Sequence, residues 1–188
     1  MTHYTNVLVS QLKTLRLSGL AQSLDVRLRQ AAEEHWPPSE LLTRVFADEL
    51  EHRDQMALMA RIRRANITPD KTLDRFDFSF NPTLNQALIM ELATCQFVER
   101  KTPVIVAGPT GTGKTHLGQA LAHQACMKGY SVLYISCAGM LATLMLAHIQ
   151  GNYARKLRTL LKPQLLVIDD FGLKPLRDRD PELFYDVI

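Results

Sequence analysis

Cysteine is scarce in this chain of 188 residues: Cys95, Cys126 and Cys137 are too few and too scattered for a disulfide framework or a zinc motif. A reduced, cytosolic protein is therefore expected. The six histidines show no metal-ligand spacing, and no serine or cysteine falls in a pattern that would pair it with a catalytic base. Nine glycines and nine prolines exclude collagen-like or low-complexity character, and a hydrophobic content of 46% is too high for wholesale disorder. No internal repeat is present. The opening MTHYTNVLVSQLK lacks the basic stretch before an apolar run that marks a signal peptide. Charge is missing altogether from Gly129 to Ala154, a stretch long enough to cross a bilayer. Ser131, Ser136, Thr143, His148, Gln150 and Asn152 interrupt it, so it reads as a buried strand followed by a helix, with no membrane contact expected.

The net charge of +3 is unevenly placed. Residues 1–70 carry nine basic and nine acidic side chains, whereas residues 71–188 carry thirteen and ten. Bulk charge thus hints only weakly at an anionic partner, and local clusters must carry that argument.

Periodicity divides the chain in two. Leu12 and Leu15, then Leu20, Leu24 and Leu28, mark helical faces in the first part, with Gly19 the expected break between two helices. Pro37-Pro38-Ser39 ends one helix and opens the next, in which Leu42, Phe46 and Leu50 recur at steps of four as far as about Arg64. This predicts a small all-helical N-terminal domain over 1–68, suited to oligomerisation or partner binding. Beyond it the pattern changes. Pro103 to Ala107 and Leu165 to Ile168 read as buried strands, and so does Val132 to Ile135 between them. Helices are expected after Gly113, ending at Gly129, over roughly 138–162 with a break near Gly151, and from Asp180-Pro181-Glu182. Strands alternating with helices imply an α/β domain over 69–188, a parallel sheet with helices on both faces.

Gly108-Pro109-Thr110-Gly111-Thr112-Gly113-Lys114-Thr115 matches G-x-x-x-x-G-K-[ST] in full, between an expected strand and an amphipathic helix. Phosphate oxygens need several backbone N–H donors converging on one point, and glycines leave room for that approach. The helix beginning near Lys114 adds the positive end of its dipole. In this reading Lys114 reaches the β- and γ-phosphates of ATP, and the Thr115 hydroxyl ligates Mg²⁺. His116 is a neighbour of the loop. The second signal is Leu165-Leu166-Val167-Ile168-Asp169-Asp170, four apolar residues ending in two carboxylates. Asp169, at the tip of a strand beside the loop, takes the Walker B role toward Mg²⁺, and Asp170 is placed as general base for the attacking water.

Together these motifs resemble the AAA+ branch of P-loop ATPases, where the acidic pair is usually Asp-Glu; Asp170 is one methylene shorter. Over essentially the whole chain, the front helices, Lys71-Thr72-Leu73-Asp74-Arg75-Phe76-Asp77-Phe78 and the two motifs resemble the IstB family. Its members are helper ATPases of transposition encoded beside a transposase, related to the bacterial replicative helicase loader DnaC. The resemblance implies a homo-oligomer formed through the ATPase domain, DNA and the element's transposase as partners, and Phe76 and Phe78 near the nucleotide base. It also implies that Arg155, Lys156, Arg158 and Lys162, four cations in eight residues without an acid, face DNA phosphates. Arg61, Arg63 and Arg64 form a second basic cluster with an equally good reading as a solvated helix end. Tyr153 fits core packing better than base stacking.

The chain stops at Phe184 to Ile188, within what reads as a helix after the third strand. A domain of this class continues with a fourth strand, lying between the first and third, and a fifth. A truncated domain is therefore expected, with the polar sensor and the arginine that completes a neighbour's site outside this chain. The competing readings are a DnaC-like helicase loader and a non-hydrolysing remnant that binds nucleotide or DNA; a nucleoside kinase fits the helical front and the Asp-Asp pair less well.

Overall fold

A computed structural model describes residues 3–81, 84–173 and 175–188. It divides into two compact units, residues 1–59 and 60–188.

In the first unit, α1 (His3–Thr14) and α2 (Ser18–Glu33) precede the long α3 (Pro38–Ala65). Leu12, Leu20, Leu24 and Val45 form its buried core, with Val9, Leu17, Ala21, Leu28 and Leu41 packed around them. The break between α1 and α2 falls at Arg16, in a left-handed conformation (φ +58°), rather than at Gly19. Gly19 lies inside α2 for a different reason: a Cβ there would come within 2.5 Å of His52 Cβ, so only glycine lets α2 approach α3 this closely. The face of α3 also differs from expectation. Leu42, Phe46 and Leu50 are exposed, and the stripe turned inward is Leu41, Val45 and Glu49. Polar chemistry selects that stripe. The Glu49 carboxylate accepts the Leu20 N–H (3.0 Å) and the Arg53 guanidinium (2.7 Å), while Asp48 pairs with Arg27 through two bonds of 2.7 and 2.8 Å.

In the second unit, a segment after α3 leads through a short 3₁₀ turn (Phe78–Phe80) to α4 (Gln86–Ala93), α5 (Gln96–Glu99) and α6 (Lys114–Met127). Leu117, Leu121 and Ala125 of α6 are buried, as their spacing predicts. Gly129, with φ +93°, closes the helix: its N–H reaches the Cys126 carbonyl, and that of Tyr130 reaches Ala125. Two strands follow, β1 (Val132–Ser136) and β2 (Leu165–Asp169), joined by α7 (Cys137–Ile149) and α8 (Tyr153–Leu160); α9 (Asp180–Tyr185) comes last. The Ser136 hydroxyl caps α7 by accepting the Gly139 N–H, so strand passes directly into helix.

The strands are parallel, with Val132 opposite Leu165 and Ser136 opposite Asp169. Leu133, Ile135, Leu166 and Ile168 face a core built on Met140, Leu144, Leu160 and Leu183 from α7, α8 and α9. The other face meets α6, where Tyr134 and Val167 are the neighbours of Gly118. Helices thus cover both faces of a small parallel sheet. Pro103–Ala107 departs from expectation: among the described residues it joins no ladder, and Ile105 is 90% exposed. The run has the residues of a buried strand, but a strand needs neighbouring N–H and C=O groups, and none pairs with it here. No helix of the described residues is long and apolar enough to cross a membrane.

Candidate functional site: a phosphate loop facing a strand-end carboxylate

The loop from Gly108 to Thr115 turns on two glycines in left-handed conformations, Gly111 (φ +82°) and Gly113 (φ +85°), before α6 begins at Lys114. Gly113 is the residue preceding the helix and offers no side chain to cap it. The N–H groups of the first turn therefore have no acceptor within the helix, and the dipole leaves them positive. Thr112 folds its hydroxyl back onto the Pro109 carbonyl (2.9 Å). The Lys114 ammonium lies across the loop, donating to the carbonyls of Gly108 (2.9 Å) and Pro109 (2.7 Å). Both contacts are exposed, so an incoming anion can compete for that ammonium.

Phe76 shapes the back of the loop. A Cβ on Gly113 would meet its ring at 3.2 Å, and the ring packs edge-on against His116 (centroids 5.2 Å apart) and Phe78 (5.0 Å). His116 is anchored in turn through Nε2 to the Thr72 carbonyl. Phe76 rather than Phe78 is thus the aromatic in contact with the loop. Phe78 sits one ring further out in a cluster with Leu73, Ile89, Leu117 and Leu121.

Asp169 ends β2 on the face toward α6. Burial alone would raise its pKa. The Tyr134 hydroxyl, the Asp170 N–H, the Thr115 hydroxyl and the positive field of Lys71 outweigh that, so the carboxyl is held below the ordinary aspartate value. An ionised carboxylate and a neutral hydroxyl thus face each other at the N-terminus of α6. These are hard oxygen donors, few in number, which is how proteins share Mg²⁺ with substrate phosphates. The described residues contain no group of three or more His, Cys, Asp or Glu that could cage a metal unaided. Asp170 is exposed and left-handed (φ +57°), a conformation aspartate tolerates better than most residues and one that turns the chain sharply after the strand.

The four cations of the basic cluster are all exposed. On α8, Tyr153, Leu157 and Leu160 face the core, leaving the opposite side basic. Arg155 and Lys156 line a groove of about 490 Å³ with Thr143, Leu146, Gln150 and Thr159; Arg158 and Lys162 do not line it. Tyr153 donates to Asp186 and packs against the core. Arg61 is engaged structurally, donating to the Cys126 carbonyl (2.8 Å) at the end of α6.

Tyr134 was not evident from sequence motifs. The Tyr134 hydroxyl donates to Asp169 Oδ2, and burial together with that bond raises its pKa strongly. The one available signal was strand alternation: in V-L-Y-I-S the tyrosine falls on the same face as the strand-end carboxylate.

Residues 10–188 match the family described as IstB-like ATP binding protein. The chain is 36% identical over 186 residues to a protein of Pseudomonas aeruginosa named as an ATP-binding protein of insertion sequence IS21, covering 99% of this chain and 69% of that one. It is 34% identical to an insertion-sequence ATP-binding protein of Mycobacterium tuberculosis, over 94% of this chain and 70% of the relative. A counterpart from insertion sequence IS1162 of Pseudomonas fluorescens is also 34% identical, over 100% and 80%. A phosphate loop opening α6, an acidic strand end facing it and similarity over nearly the whole chain agree: the chain belongs to the IstB-like family of ATP-binding proteins.

Proposed function

We propose that this chain is the ATP-hydrolysing helper of an insertion sequence, assembling on DNA with ATP bound and acting on the transposase of the same element. The observation that carries the reading is the meeting of three groups at one helix end: the Lys114 ammonium across the loop, the Thr115 hydroxyl, and the ionised Asp169 carboxylate. The names of the insertion-sequence relatives support the biological setting.

In this reading the N–H groups of Gly108, Thr110, Gly111, Thr112 and Gly113, with those of the first turn of α6 at Lys114 and Thr115, cradle the phosphates, while Pro109, which has no N–H, shapes the loop between them. Lys114 exchanges its two carbonyl partners for phosphate oxygens. Thr115 and Asp169 hold Mg²⁺, which when bound neutralises charge developing on the phosphates. Asp170, projecting from a left-handed turn into solvent, accepts the proton of the attacking water. Phe76 buttresses the loop, with His116 and Phe78 packed against its ring. Residues 69–188 form the ATPase domain, which self-associates, and residues 1–68 receive a partner. Arg155, Lys156, Arg158 and Lys162 contact DNA phosphates, giving salt-dependent binding of low sequence specificity.

The test is retention of duplex DNA with ATP, with ADP and without nucleotide. ATP-dependent retention, lost in Lys114→Ala, supports the proposal. Retention indifferent to nucleotide refutes it, and stable capture of a replicative helicase in place of a transposase shifts it to a loader.

A further inference from the structure

We propose that Tyr134 is the positioning residue of the Mg²⁺ site, its hydroxyl holding the Asp169 carboxylate from the neighbouring strand. The inference rests on the reading of Asp169 as the carboxylate that serves the metal. The direction of the bond is defined by donor chemistry: the carboxylate can only accept, so the Tyr134 hydroxyl donates to Asp169 Oδ2. Tyr134 is 8% exposed, so water does not offer an equal alternative.

The arrangement also explains why a tyrosine stands in the middle of an aliphatic strand. Tyr134 lies opposite Val167 and two positions before the residue opposite Asp169, on the face toward α6, so its ring spans one step of the sheet to reach the carboxylate. With Oδ2 held, the Asp169 side chain is confined to one orientation before any metal arrives. Partners of this kind hold metal-ligating carboxylates in place and are worth about 10- to 100-fold in metal affinity or activity. The Tyr134 backbone is anchored in turn by Asn66, in the segment after α3, whose side-chain amide donates to the Tyr134 carbonyl.

The test uses a fluorescent ATP analogue and the Mg²⁺ concentration at half-saturation of its binding, which needs no turnover. Tyr134→Phe keeps the ring and removes the donor. It is expected to raise that concentration about tenfold while leaving affinity in EDTA unchanged. In an Asp169→Asn background, Tyr134→Phe should add nothing. An unchanged Mg²⁺ dependence in Tyr134→Phe, with Asp169→Asn shifted, overturns the inference alone. An equal loss of affinity with and without Mg²⁺ shows a merely structural tyrosine and also overturns it. If Asp169→Asn itself leaves the Mg²⁺ dependence unchanged, the reading of Asp169 falls and the inference with it.

Discussion

Replacing Gly113 with alanine separates two costs that the phosphate loop combines. Gly111, Gly113 and Gly129 have nearly equal positive φ values of +82°, +85° and +93°, so alanine meets similar backbone strain at each, about 1 kcal/mol. Their surroundings differ. A Cβ at Gly111 or Gly129 meets nothing within 4 Å, but at Gly113 it meets Phe76 Cε2 at 3.2 Å and Cζ at 3.4 Å. The ring has little room to retreat, since Phe78 and His116 pack edge-on against it. Crowding of this kind adds roughly 1–2 kcal/mol. Without nucleotide, Gly111→Ala and Gly129→Ala should each lower the melting temperature by about 2–4 °C, and Gly113→Ala by about twice that. Thermal melts followed by circular dichroism give the comparison. Adding Phe76→Leu to Gly113→Ala should remove the excess, read as a coupling energy in a double-mutant cycle. Equal destabilisation at all three glycines would refute the reasoning, because Phe76 would then not be braced against the loop.

Three other predictions concern separate parts of the molecule. Asp170→Asn keeps a residue that tolerates the left-handed turn, so stability and ATP affinity should hold while turnover falls about 10²- to 10⁴-fold; an unchanged rate would remove Asp170 as the base. Replacing both Arg155 and Lys156 by alanine should reduce the slope of log affinity for duplex DNA against log salt by roughly 0.9 for each phosphate that the variant no longer neutralises, and an unaltered slope would exclude the α8 groove. Acid should destabilise the first unit. The Arg27 bond holds Asp48 below the ordinary aspartate value, and the Leu20 N–H, then Arg53, hold Glu49 low in the same way. A depressed carboxylate pKa stabilises the fold above about pH 4 and stops doing so as pH falls through the folded value, so Asp48→Asn should flatten the loss of melting temperature below about pH 4.

What the sequence made legible were features enforced locally. The phosphate loop follows from glycines that only a left-handed turn and close backbone approach require, and Gly129 and Gly151 (φ +68°) punctuate helices for the same reason. The two paired strands follow from short aliphatic runs. Features decided by the neighbour an element meets were not legible. Both stripes of α3, Leu42-Phe46-Leu50 and Leu41-Val45-Glu49, have helical spacing, and the choice depends on Glu49 and Asp48 finding Leu20 and Arg27 on α2. Gly19 looks like a helix breaker until His52 is found against it. Pro103–Ala107 has strand composition, yet composition does not supply a partner. Tyr134 carries no motif, because its role arises only when β1 pairs with β2 and brings its hydroxyl to Asp169.

The central claim is that the loop, Thr115 and Asp169 form a working ATP site whose turnover answers to DNA. ATP hydrolysis measured with and without duplex DNA, on this chain and on Lys114→Ala, tests it most directly. The account predicts turnover that duplex DNA stimulates and that Lys114→Ala abolishes. Turnover that survives Lys114→Ala, or that is absent under all conditions while ATP still binds, would contradict it.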